Sequence, residues 1–550
     1  MNRPVLVLVL VFGGLIAAAA LPSAMVPEQV RLDTGLVAGT IGTTQPTVRV
    51  FKGIPYAAPP LGESRWRAPK PAAAWDGVRK ADAFGAPCAA GGPAGGRGGG
   101  RGAATGQAPA PAPPPPPARE PARAEDCLYA NVWTSATSAN EKRPVMVWIY
   151  GGAFAGGSGG LAWYDGENLA AKGPVIVTFN YRLGSLGFLA HPDLATEAGH
   201  SGSGNYGVMD AVAMLQWVKR NIGGFGGDPN KVTIAGESAG AAMVGALVGS
   251  PLAKGLFIRA IAQSGGWMGT QMARMQSTAE AQGKGVKMMQ ALGVSSLAEL
   301  RARPVTDLAL PGGANMAIDG YLIPEDLSHT FLAGKQNAVD VITGSNADEA
   351  NFGICPGAGL NGRAGGPPQT LATFKDAAQR RFGELSEGYF KLYPAASDED
   401  SRQMAHRACA EEVSWNMRQF AAAQAARGKK AYTYYFTRVQ TVNGQPSPQG
   451  ATHTADISFV WNNPKGQPTQ TWNEVDLKLA DQMSSYWVNF ITRGDPNGNG
   501  LPQWPAYKDL ATGRVMVLGD TPVAEPAPPA PALAFYSAAF QRLLKTTGTN

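Results

Sequence analysis

Histidine and cysteine are both scarce: five histidines and four cysteines occur in 550 residues. Cys88, Cys127, Cys355 and Cys409 show no C-x-x-C spacing, and no histidine pair has the spacing of a metal-binding helix, so the chain carries no sequence mark of a zinc or iron site. Charge is sparse too, at 16% of residues, and the net +6 is misleading, because Arg97, Arg101, Arg119 and Arg123 against Glu120 supply half of it from one low-complexity stretch. No compact Lys/Arg cluster with interleaved aromatics remains, which excludes a nucleic-acid surface. A phosphate loop of the G-x-x-x-x-G-K type is missing, and the one G-x-G-x-x-G, at Gly202 to Gly207, follows no strand. Neither a metal nor an organic cofactor is implied.

Long hydrophobic runs are absent apart from the first residues, where Arg3 precedes an apolar core from Val5 to Ala20 and small residues follow. This pattern reads as an export signal over residues 1–24, leaving residues 25–550 as a single domain that is exported to the periplasm or medium and does not stay in a membrane. Residues 89–124 consist almost wholly of Gly, Ala, Pro and Arg, with consecutive prolines from Pro113 to Pro117. Such a stretch cannot bury a core and reads as a disordered insertion. Cys88 and Cys127 stand just outside it, and a disulfide between them would tie it off as a surface loop, stabilising the fold by about 4 kcal/mol on the chain-entropy model. Cys355 and Cys409 are left either as a second bridge by elimination or as two buried thiols. An irregular tail is expected after about residue 520, where prolines are again dense.

What the chain does have is KVTIAGESAG at Lys231 to Gly240. Val232, Thr233 and Ile234 form a β-branched strand, Gly236-Glu237-Ser238-Ala239-Gly240 fits G-x-S-x-G, and small apolar residues continue as a helix. A serine on that turn is pushed out at the top of a sheet, facing the positive end of the helix that follows. Ser238 is the candidate nucleophile. Upstream, the apolar run Pro144 to Tyr150 reads as a strand buried on both faces and leads into Gly151-Gly152-Ala153-Phe154, a turn able to aim the Gly152 and Ala153 N–H groups at an oxyanion. With Ala239, these complete a candidate oxyanion hole. Pro174 to Asn180 forms another buried strand and Asp210 to Asn221 a helix, so strand–helix–strand units build a mostly parallel sheet with its site at the strands' C-terminal ends. The β-rich runs Val30 to Thr40 and Thr47 to Phe51 suggest an N-terminal antiparallel ribbon.

With these motifs stand FKGIPYAAPPLGESRWRAP at Phe51 to Pro69, EDCLYANVW at Glu125 to Trp133, NYRLGSLGFL at Asn180 to Leu189, AQSGG at Ala262 to Gly266, GSNADEANF at Gly344 to Phe352 and HTADISFVW at His453 to Trp461. In this ordered set the chain resembles the type-B carboxylesterases, the cholinesterase and para-nitrobenzyl esterase family. The resemblance implies an α/β-hydrolase with helical elaborations over a deep gorge, small-molecule ester substrates and an acyl-enzyme mechanism. It departs at Ala153, where members usually have a third glycine, and at Asp456, where they usually have glutamate.

A serine hydroxyl needs a base, and the base needs an acid to fix its tautomer. His191 and His200 precede the serine, His329 precedes the acid candidates, and His406 sits in a charged helical stretch. That leaves His453, on a loop after turn-rich sequence, and the resemblance assigns it the same role. Asp348 and Glu349 compete as acid at the end of the Val341-Ile342-Thr343 strand, and the resemblance selects Glu349. It also implies buried pairs Arg65 with Glu125 and Arg182 with Asp210, places Glu237 beside the nucleophile, and offers Phe154, Trp267 and Phe459 as pocket residues. A serine amidase or peptidase would use the same triad, and a non-catalytic adhesion module of this fold would have lost part of it.

Overall fold

The computed structural model describes residues 29–92, 121–200, 202–268, 275–352, 369–467, 469–526 and 530–546. The expected leader and residues 93–120 of the insertion lie outside these, as does Cys355.

Long apolar runs become the centre of one large sheet. Its strands are β1 (Thr40–Ile41), β2 (Arg49–Pro55), β3 (Tyr129–Thr134), β4 (Arg143–Ile149), β5 (Val175–Phe179), β6 (Gly227–Glu237), β7 (Arg259–Gln263), β8 (Asp340–Asn346), β9 (Ala431–Phe436), β10 (Arg514–Leu518) and β11 (Val523–Pro526). They lie in the order β11-β10-β9-β8-β7-β6-β4-β5-β3-β2-β1. From β5 to β10 neighbouring strands run parallel, while β3, β2 and β1 on one side and β11 on the other pair antiparallel. Parallel strands covered on both faces need apolar side chains throughout, and all of Val175–Phe179 is buried. Each buried Val or Ile contributes about 1.5–3 kcal/mol.

The expected N-terminal antiparallel ribbon is present in two parts. Val30 to Thr40 folds back on itself as a hairpin of Gln29–Leu32 with Gly35–Ala38, whereas Arg49–Pro55 joins the main sheet beside Tyr129–Thr134. Asp33-Thr34 supplies a turn inside what reads as one β-rich run.

Helices α1 (Tyr206–Asn221) and α2 (Ala239–Gly249) flank the central strands, and α2 is buried along its whole length. Further out lie α3 (Thr278–Leu292), α4 (Leu371–Phe382), α5 (Asp398–Ala425), α6 (Glu474–Arg493) and α7 (Ala530–Thr546). Helix α7 corrects the expectation of an irregular tail. The prolines end at Pro531, and Leu533, Tyr536 and Phe540 then recur at helical spacing. They are buried, Phe540 and Tyr536 against Trp415 of α5.

Cys88 and Cys127 are joined, with Cα atoms 5.0 Å apart, and Cys409 is also disulfide-bonded. The flanks of the insertion are not loose. Ala89 N–H donates to Ala124 O, Gly92 N–H donates to Val305 O, and Arg123 Nη1 donates to Cys88 O. The two implied ion pairs are present: Arg65 grips Glu125 through Nε and Nη2, both at 2.5 Å, in a partly buried pair, and Arg182 grips Asp210 at 2.7 and 2.8 Å in a buried one. Arg65 also donates through Nη1 to Arg301 O and Arg303 O, while Asp210 belongs to α1, so both pairs tie separate segments together and serve the fold.

Candidate active site

Strand β6 ends at Glu237 and α2 begins at Ala239, so Ser238 alone makes the turn, with φ 57° and ψ −125°. A non-glycine residue held there costs about 1–3 kcal/mol, sustained by the packing around it. Gly240 makes that packing possible, since a Cβ there would stand 2.0 Å from Ile149 O of β4. The Ser238 N–H donates to Gln263 O of β7, while the side chain is only partly covered.

The glycine turn after β4 lies against this serine: a Cβ on Gly151 would meet Ser238 Cβ at 2.8 Å. Gly152, Ala153 and Phe154 all have positive φ, at 116°, 52° and 57°. Gly152 and Ala153 are exposed, and among the described residues neither N–H donates a hydrogen bond. The Ala239 N–H, first in α2, has no partner within its helix. Three backbone donors are thus free beside one hydroxyl.

Glu349 and His453 come from loops after β8 and β9 that are stitched together. Asp348 N–H donates to Ala451 O, Ala451 N–H donates back to Asp348 Oδ2 at 2.8 Å, and Asn346 Nδ2 donates to Thr452 O at 2.8 Å. Glu349 is fully buried; its Oε1 accepts from Asn346 N–H at 2.7 Å and its Oε2 lies 2.6 Å from His453 Nδ1. The other ring nitrogen, Nε2, is 3.1 Å from Glu237 Oε1. Burial pushes the Glu237 carboxyl up to about 8. For His453 burial works against the imidazolium, but Glu237, Glu349 and Asp456 outweigh it and push the ring up to about 9.

The remaining candidates divide. Phe154 continues the glycine turn and packs on Phe188, with centroids 4.8 Å apart. Trp267 packs with Phe331 and Phe420 beneath α2, where a Cβ on Gly245 would meet its ring. Phe459 sits in the short turn Ile457–Val460 against Phe436 and Trp472. All three are buried. His191 is buried, and its Nδ1 accepts from Asp193 N–H, capping a helix. His200 stacks on Tyr321.

Sequence reasoning missed the polar residues behind His453. Asp456 is fully buried and accepts from Tyr434 Oη at 2.6 Å, Gln263 Nε2 at 2.8 Å and Asn346 Nδ2 at 3.3 Å. The HTADIS motif contains the aspartate, but nothing in it points to partners from three other strands. Among the described residues no group of three His, Cys, Asp or Glu side chains is placed to hold a metal ion.

A family model described as the carboxylesterase family matches residues 26–535. The fumonisin B1 esterase of Sphingopyxis macrogoltabida is 34% identical over 525 residues, covering 92% of this chain and 89% of that one. The para-nitrobenzyl esterase of Bacillus subtilis is 31% identical over 489 residues, covering 85% and 91%. Among solved structures, the Geobacillus stearothermophilus carboxylesterase EST55 superposes with a TM-score of 0.75 at 31% identity, covering 93% of this chain and 100% of that one. The chain belongs to the carboxylesterase family, has its α/β-hydrolase fold and is a carboxylic ester hydrolase.

Proposed function

We propose that the protein hydrolyses small-molecule carboxylic esters through an acyl-enzyme formed on Ser238. His453 removes the Ser238 proton as the hydroxyl oxygen attacks the ester carbonyl carbon, and Glu349 holds the ring in the tautomer with its proton on Nδ1. The carbonyl oxygen, now anionic, is held by the Gly152, Ala153 and Ala239 N–H groups. His453 then gives its proton to the leaving alcohol. Water, deprotonated by the same ring, attacks the acyl carbon; the bond to Ser238 Oγ then breaks, the ring returns its proton to Oγ, and the carboxylic acid leaves.

The observation that carries this reading is the 2.6 Å contact of Glu349 Oε2 with His453 Nδ1, on two loops that cross-bond at Asp348, Ala451 and Asn346. Glu237, Phe154, Trp267 and Phe459 belong to the walls around the acyl and alcohol groups. The chain from residue 25 onward acts as a single catalytic domain in an exported protein, and the Cys88–Cys127 bridge supports an oxidising compartment. The activity test is Ser238→Ala, which preserves the turn and removes the nucleophile. Loss of hydrolysis across aryl, short-acyl and multi-carboxylate esters in a folded variant is expected; turnover within about tenfold of the parent would refute the assignment. Matched amides on the same panel separate an esterase from an amidase.

A further inference from the structure

The turn that carries Gly152 and Ala153 is not held by its own backbone preferences. Gly152, Ala153, Phe154 and Gly157 all have positive φ, while Gly152, Ala153 and Ala155 are exposed, so packing does not hold those three in place either. Hydrogen bonds do. The Gly152 carbonyl accepts the N–H groups of Ala155 and Gly156, both at 3.0 Å. That carbonyl and the Ala153 N–H belong to one planar peptide and point opposite ways, so these bonds set the direction in which Ala153 donates. Gly157 packs on the same spot, since a Cβ on Gly152 would stand 3.3 Å from its nitrogen. Where residues 155–158 sit therefore decides where the donors point.

Two ties bind this turn to the base of the insertion. The first runs from Ala90 O, which accepts from Ser185 N–H, through the neighbouring Gly184 N–H to Phe154 O at 2.7 Å. The second is Arg123, whose Nη1 alone donates to Cys88 O at 2.9 Å and to Gly157 O at 3.3 Å. Among the described residues no other distant segment bonds to residues 155–158, and no carboxylate pairs with Arg123. The base itself is clipped together: Cys88 is bridged to Cys127, Ala124 N–H donates to Pro87 O, and Ala89 N–H donates to Ala124 O.

We propose that Arg123 is a positioning residue for ester hydrolysis: from the disulfide-closed base of the insertion it holds residues 155–158, and so keeps the Gly152 and Ala153 N–H groups aimed at the oxyanion. The inference rests on those groups being the oxyanion donors. Arg123 acts through the turn, not on the ester. A guanidinium on a carbonyl makes the stronger, charge-assisted kind of hydrogen bond, which suits a turn whose backbone would otherwise relax. The oxyanion forms only as Ser238 attacks, so a donor that loses its aim lowers kcat and leaves KM nearly alone.

A residue that merely fastened the loop base would alter stability and leave turnover per active site alone, so kcat of the full-length protein is measured per site titrated with an organophosphonate. Arg123→Ala should lower kcat on a short-acyl aryl ester by about tenfold, with KM altered less than about threefold. It should weaken a trifluoromethyl ketone by the same factor as kcat/KM. That ketone takes the Ser238 oxygen onto its carbonyl carbon, the hydroxyl proton passes to His453 and the carbonyl oxygen becomes the anion, so its affinity reads the donors directly. Arg123→Lys should stay within about threefold of the parent, because one ammonium has protons enough for both carbonyls that Nη1 meets. Should Arg123→Ala be insoluble, Arg123→Gln must show the same paired losses. Turnover per site within about twofold of the parent in the neutral variant, an equal loss in Arg123→Lys, a fall in kcat with unchanged ketone affinity, or failure of both neutral variants to fold overturns the proposal. A ketone that binds Ser238→Ala as tightly as the parent refutes the reading of the site itself, whereas tight binding that needs Ser238 and ignores Arg123 refutes only the role of Arg123.

Discussion

Glu237 Oε1 lies 3.1 Å from His453 Nε2, on the side of the imidazole opposite Glu349. The ring is therefore held between two carboxyl groups, and a proton placed between Nε2 and Glu237 Oε1 would have two seats. With the proton on Glu237 the imidazole is neutral and able to take the Ser238 proton; with the proton on His453 it is not. A carboxylate at Nε2 stabilises the imidazolium and raises the pH at which it is lost, so the acid limb of kcat/KM should lie above the range of about pH 6–7 set by an ordinary histidine. In Glu237→Gln that limb should fall by about one pH unit. A limb that stays put, or rises, contradicts the pairing.

The neighbouring acids Asp348 and Glu349 should separate in kinetics. Glu349→Gln presents an amide that supports the wrong tautomer, and the comparable change in a serine-protease triad lowers kcat about 10⁴-fold. Asp348 instead clasps Ala451 N–H with Oδ2. Asp348→Asn should lower stability by about 1 kcal/mol and turnover by less than about tenfold. Stopped-flow or steady-state kcat for the two, at one neutral pH, is the measurement; the large loss at Asp348 would reverse the assignment.

A stability prediction follows from Glu167, whose carboxylate accepts the N–H groups of Thr43, Thr44 and Gln45. Burial alone would raise its carboxyl, but the side-chain and backbone donors bring it down to about 2. A carboxyl depressed on folding stabilises the protein above its unfolded value of about 4.3, and the gain fades as pH falls through the folded value. The melting temperature of Glu167→Gln should thus trail the parent at pH 7, with the gap narrowing between pH 4 and 2. A gap that is constant with pH would mean the loss is one of packing.

The insertion predicts its own boundaries. Because Gly92 N–H and Arg123 Nη1 are bonded to the body, deleting residues 93–120 should leave kcat/KM and melting temperature nearly unchanged, whereas extending the cut to Gly91 and Arg123 should lower the melting temperature. Equal behaviour of the two deletions in a thermal melt would show that the flanks contribute nothing.

How much of this was legible in the sequence depended on whether the signal was local. Ser238 announces itself because strand, strained turn and helix are contiguous, and the Gly151 to Phe154 turn follows its own strand. The disulfide was legible because its cysteines bracket a stretch that cannot fold. The acid was not: Asp348 and Glu349 are adjacent and chemically alike, and what distinguishes them is that one faces Ala451 and the other His453, a contact spanning 104 residues. The Asp456 partners are hidden for the same reason, since Gln263, Asn346 and Tyr434 sit on three strands. The C-terminal helix was obscured by the prolines before it, although Leu533, Tyr536 and Phe540 carry its period.

Passage of the ester's acyl group through Ser238 can be read by rapid-quench mass spectrometry of the enzyme mixed with a slowly deacylating aryl ester. A mass increase equal to the acyl group less one hydrogen is expected, confined to the peptide containing Ser238, appearing with the burst of released phenol and absent in Ser238→Ala. An acyl group found on another residue, or steady turnover by Ser238→Ala at a rate near the parent's, would contradict it.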